Sequence, residues 1–185
     1  MDVPKISESQ KTILRLSRVH FLYIIAFAAS IVVYHAGNLV TPEAILKRWT
    51  IAGCMLVLTT IVWGLAHSTK PSPVLYKILV SILILMDIIL ASSLVYAERG
   101  MAGLGVALYA IPIAVSAVLA SRTALIGTTI LCFAAYAFSC IKYFVDFFNE
   151  GYKLQLYATI GFYGAVFFVL AALLAIIFTS QRSKR

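Results

Sequence analysis

Few residues in this chain are of a type that does chemistry, and the most exceptional is Asp87. It lies in "LVSILILMDIILASSLVYAERG", residues 79–100, and is the only acidic or basic side chain in the twenty-residue run Ile78–Ala97. At 1.5 Å per residue that run spans a hydrocarbon core of ~30 Å, so the carboxyl falls near a bilayer midplane. A charge there costs about 2.5–3.5 kcal/mol on insertion scales and implies a partner on another helix. Ser30, Thr59, Thr60 and Ser139 are of the right type, and the sequence does not choose among them. Either the carboxyl ties helices together or it takes part in ligand or proton sensing.

The other reactive types form no site. The three cysteines, Cys54, Cys132 and Cys140, all fall in apolar segments, and an odd number there argues against a disulfide framework. His20, His35 and His67 have no second ligand at helical spacing, so no metal centre is expected. "GMAGLG" at 100–105 follows no strand and lacks a phosphate-loop lysine; it is expected to be a tight turn. No catalytic constellation is legible, and neither enzyme activity nor a cofactor is expected. Lys142 and Asp146, four apart, are expected to pair.

The elements that position these residues follow from composition. The chain is 62% hydrophobic and 12% charged, where soluble domains are nearer half and a quarter. The expected fold is all-α: six transmembrane helices near Val19–Val40, Thr50–Ala66, Ile78–Ala97, Met101–Ala120, Leu125–Phe147 and Leu154–Thr179. A basic cytoplasmic segment, 1–18, precedes the 19–180 membrane domain, and a basic end, 181–185, follows it. "SESQKTILRLSRVH" reads either as an amphipathic entry helix or as a charged flank.

Six spans put both termini on one side, with ten basic residues there (Lys5, Lys11, Arg15, Arg18, Lys70, Lys77, Arg122, Arg182, Lys184, Arg185) against five opposite. That bias makes the termini cytoplasmic. The formal charge of +8 is then topology and contact with anionic lipid at the cytoplasmic face, and nucleic acid is not an expected partner.

Two helices carry patterned faces. Gly103, Ala107, Ala110, Ala114, Ala117 and Ser121 recur at 4-3-4-3-4 and predict a close-packed face on the fourth helix. Pro112 lies off that stripe and is expected to kink the helix at its middle. Thr128, Cys132, Ala135, Ser139, Lys142 and Asp146 form a polar stripe on the fifth. Gly161 and Gly164, in "GFYG", mark a second expected close contact on the sixth.

From Asp87 to Tyr136 the sequence resembles the six-helix membrane input module of pilus-type bacterial sensor histidine kinases. The resemblance rests on "DIILASSLVYAERGMAGLG", "ALYAIPIAVSAVLASRTALIG" and "CFAAYAF", with Asp87, Tyr96, Gly100, Tyr109, Pro112, Arg122 and Tyr136 at the family positions. "LRLSRVHFLY" resembles the opening helix. The turn "ERGMAG" departs from the family's paired glycine and Ser-Pro-Phe. The resemblance implies a sensor of the bacterial cytoplasmic membrane, with Asp87, Tyr96, Tyr109 and Pro112 as signal or ligand candidates; Ser139 joins them as a candidate partner of Asp87. It also implies a homodimer and a cytoplasmic kinase domain as partners; a chain ending at "FTSQRSKR" would sense without phosphorylating. In size and topology the chain also resembles the substrate-binding membrane subunits of energy-coupling-factor transporters, although "FAASIVVYHAG" is a poor version of their Ala-rich docking face. A small orphan membrane protein is the third reading.

Overall fold

A computed structural model describes residues 8–67, 72–98, 103–119, 121–148 and 154–182. Lys5, Lys70, Gly100, Glu150 and the two chain ends lie outside these residues. Everything regular in the described residues is helical: α1 (Glu8–Ala36), α2 (Pro42–Ala66), α3 (Pro73–Ala97), a 3-10 helix (Leu104–Tyr109), α4 (Ala110–Ala117), α5 (Arg122–Phe148) and α6 (Leu154–Arg182). Five helices are long and apolar enough to cross a membrane, so the chain has the build of a multi-pass membrane protein. The chain divides into two compact units, Met1–Leu83 and Ile84–Arg185, with the boundary inside α3.

In the first unit α1 and α2 form an antiparallel hairpin. The buried residues of α1 are Ile13, Ser17, His20, Ile24, Phe27 and Ile31; those of α2 are Ile45, Arg48, Ala52, Met55, Thr59, Val62 and Ala66. Both series advance by alternating threes and fours, the seam of coiled-coil packing. At one end of the hairpin Gln10 Nε2 donates to Ala66 O at 2.9 Å. At the other, Asn38 takes a left-handed conformation, φ 49°. Its N–H donates to His35 O at 3.1 Å and the Leu39 N–H to Tyr34 O at 3.0 Å, which is a Schellman stop. That stop ends α1 at Ala36, short of the Val40 expected from hydropathy. Thr41 then caps α2, accepting from Ala44 N, with Pro42 opening the helix. The α2 start therefore precedes the apolar run by a full two turns. α1 runs unbroken through residue 18, so the basic lead is helical from Glu8 onward.

In the second unit the C-terminal ends of α3 and α5 lie together, because Tyr96 bonds to Asp146. The chain between them must run back the other way. The 3-10 helix and α4 make that return. They cover about 24 Å, shorter than the ~30 Å of a hydrocarbon core. Ser121 caps α5, its Oγ accepting from Ala124 N at 3.3 Å.

This return leg corrects two expectations. The stripe from Gly103 to Ser121 is not a single packed face: Ala107 and Ala114 are exposed, Ala110 is half-buried and only Ala117 is buried. Gly103 precedes the helix and abuts the Glu98 side chain, and Ser121 lies past its end as the α5 cap. The 3-10 segment turns 120° per residue, so Ala107, the stripe member inside it, does not follow the α-helical series of Ala110, Ala114 and Ala117. The buried side is instead Gly105, Val106, Tyr109, Pro112, Ile113, Val115, Ser116 and Ala117. Pro112 does not kink a long helix at its middle. It sits in the first turn of α4, and the carbonyl its ring would crowd belongs to Leu108, inside the 3-10 segment.

Candidate functional site

The second unit buries most of the polar side chains singled out above. On α3, Asp87 is 1% exposed and Ser92 is half-buried one turn further on. On α5 the polar stripe turns inward at Thr128, Cys132 and Ser139, all buried, while Phe138 faces out at 68% exposure. Asp87 of α3 and Cys132 of α5 are both buried within this unit. Ser139 donates to Ala135 O at 2.9 Å, Ser30 to Phe27 O and Thr60 to Leu56 O. These three candidate partners thus direct their hydroxyl protons to their own helices, as Ser and Thr in apolar helices do.

The centre of this unit is a pair of tyrosines with no exposed surface, Tyr109 and Tyr136. Their rings meet edge to face at 6.0 Å. Phe167 of α6 packs on both, at 5.4 Å from Tyr109 and 5.9 Å from Tyr136, and Tyr163 adds a further edge contact to Tyr136 at 5.7 Å. The Tyr109 hydroxyl shares a 2.7 Å hydrogen bond with Ser92 Oγ. Aromatic pairs of this geometry contribute about 0.5–1.5 kcal/mol each beyond burial. The 3-10 helix, α3, α5 and α6 are thereby joined through two side chains.

A second polar group lies where α3 and α5 end. Asp146 Oδ2 accepts from Lys142 Nζ and from the Tyr96 hydroxyl, both at 2.8 Å. The Tyr96 ring meets Tyr143 edge-on at 6.0 Å, and Lys142 lies 5.9 Å from its centroid. The expected Lys142–Asp146 pair is present, and the structure adds a third member from another helix. Lys142 and Asp146 are 51% and 33% exposed, so the pair itself contributes little to stability.

Gly164 is close-packed: a Cβ there would meet the Phe133 ring. Gly161, three residues earlier, faces open space, so "GFYG" holds one contact glycine and not two. Gly105 was missed by sequence reasoning. It lies against the backbone of Leu94 and Val95, and its N–H donates to Glu98 Oε2 at 2.9 Å. The only signal for it was the glycine-rich turn itself.

Chemically, the inner cluster offers a carboxyl, hydroxyls and thiols in an apolar shell, groups that can exchange hydrogen bonds when helices shift. No protein-family model matches this chain, and no curated protein or solved structure matches it.

Proposed function

We propose that this chain is a membrane signal-input module of the bacterial cytoplasmic membrane, passing a membrane-proximal signal through α6 to a cytoplasmic output domain. The observation that carries this reading is the packing of Tyr109 and Tyr136 on Phe167. Two residues at the family positions, on the 3-10 helix and on α5, rest directly on the last helix. A displacement of the return leg therefore bears on α6 without an intervening flexible contact. The excess of basic residues on the terminal side supports cytoplasmic termini, and in this reading the 3-10 helix and α4 are the short fourth of six passes. A few kcal/mol of differential binding moves such an equilibrium.

Asp87 is the sensing residue in this proposal, and the test separates that role from a structural tie. Asp87→Asn keeps donor, acceptor and shape, so its melting temperature stays near that of the parent, within the ~1 kcal/mol scale of intramembrane hydrogen bonds. In a fusion of an output kinase domain after Arg182, the response to external pH is lost in the variant. A normal melt together with a normal pH response rejects Asp87 as the sensor. A fusion whose output ignores every membrane-proximal stimulus, with or without the substitution, rejects the input-module reading.

A further inference from the structure

We propose that Arg48 and Tyr34 form a binding site for the anionic phosphate of a phospholipid headgroup, in the leaflet at the α1–α2 turn. Arg48 belongs to the seam of α2 that faces α1 and is only 7% exposed. Its guanidinium carbon lies 4.4 Å from the centroid of the Tyr34 ring. A guanidinium keeps its charge at all ordinary pH, and a buried charge is costly unless an anion meets it. Among the described residues Arg48 makes no ion pair and no hydrogen bond, and the carboxylate nearest in sequence, Glu43, is exposed and makes none either. The guanidinium carbon lies over the tyrosine face, and a guanidinium carries five N–H donors in a planar fork.

Depth selects the ligand. α2 has 25 residues, about 37 Å, and centred on a ~30 Å core it overhangs by roughly 4 Å at each end. Arg48 lies six residues after Pro42, so its backbone sits about 5 Å inside the apolar region. The side chain reaches back to Tyr34, which is two residues from the end of α1. This is the course of an arginine snorkelling to the headgroup boundary. Tyr34 is fixed there, because its carbonyl closes the Schellman turn. A phosphate matches the planar fork of a guanidinium in a bidentate hydrogen bond. A phospholipid presents that phosphate at this depth continuously, whereas free phosphate would have to leave water to reach it.

Trp49, adjacent in sequence and 44% exposed, reports on the site. The chain has two tryptophans, so Trp63→Phe leaves Trp49 as the sole emitter. The protein is placed in phosphatidylcholine nanodiscs containing a minor fraction of phosphatidylglycerol brominated in its upper acyl chain. Quenching of Trp49 is expected to correspond to about fivefold enrichment of phosphatidylglycerol over its bulk fraction, the scale of one basic residue against anionic lipid. Arg48→Gln returns the quenching to the bulk level, and Lys47→Gln, at an exposed neighbour, leaves most of it. Bulk-level quenching with Arg48 intact overturns the proposal however the variants fold. Equal losses in Lys47→Gln and Arg48→Gln also overturn it, since surface charge then accounts for the enrichment. Relief of quenching by millimolar inorganic phosphate overturns the lipid assignment in favour of a soluble phosphate.

Discussion

Replacing Gly105 with alanine tests the return leg at its tightest point. A Cβ there would lie 2.8 Å from Val95 N and 3.1 Å from Leu94 C. Ordinary carbon contacts begin near 3.4 Å, so the 3-10 helix and α3 must separate by roughly 0.5 Å or more. Both crowded atoms are backbone atoms inside a continuous helix and cannot rotate away. Overpacking of this kind costs about 1–3 kcal/mol. The shift also stretches the 2.9 Å bond from Gly105 N–H to Glu98. Gly127→Ala is the internal reference: a Cβ there meets nothing within 4 Å, so alanine gains about 0.5–1 kcal/mol from helix propensity alone. The two variants should differ by about 2–4 kcal/mol, or roughly 5–15 °C in melting temperature for a chain of this size. Thermal unfolding in mild detergent, followed by helical circular dichroism, measures the difference. If Gly105→Ala melts at or above Gly127→Ala, the close approach of the 3-10 helix to α3 is wrong.

Leucine substitutions at Ala114 and Ala117 should part in the same assay. Ala114 is exposed and accepts leucine within about 0.5 kcal/mol, while Ala117 is 2% exposed and loses 1–3 kcal/mol or so by overpacking; equal melts would restore the single packed stripe. Tyr96→Phe combined with Lys142→Met in a double-mutant cycle should give a coupling below about 1 kcal/mol, since both groups meet one oxygen of a part-exposed carboxylate. A coupling of several kcal/mol would mean that the group is buried in the membrane-bound protein. Reporter fusions at Lys70, Arg122 and Arg185 should be cytoplasmic and those at Glu43, Arg99 and Gly151 external; an external Arg122 refutes six passes with cytoplasmic termini.

The sequence by itself determined that this is an all-helical chain built for a membrane. Apolar runs of spanning length leave the backbone no other way to satisfy its hydrogen bonds. It also located the Lys142–Asp146 pair, because an i,i+4 contact is local and needs no neighbour. The helix ends were less legible. Hydropathy sees the lipid-facing run, whereas Asn38, Thr41 and Ser121 stop and start helices by hydrogen bonds that hydropathy does not weigh. The α1–α2 seam was hidden for a related reason: Ser17, His20, Arg48 and Thr59 interrupt the apolar pattern, yet they occupy its buried positions. Only tertiary structure made Tyr96 the third member of the Asp146 group, across fifty residues of sequence. Only tertiary structure brought Tyr109 and Tyr136 together on Phe167. It alone showed that the fourth segment begins as a 3-10 helix, which takes Ala107 off the α-helical spacing. Spacing rules presuppose a helix type, and here a 3-10 segment carries Gly105 close against α3 before the chain turns α-helical.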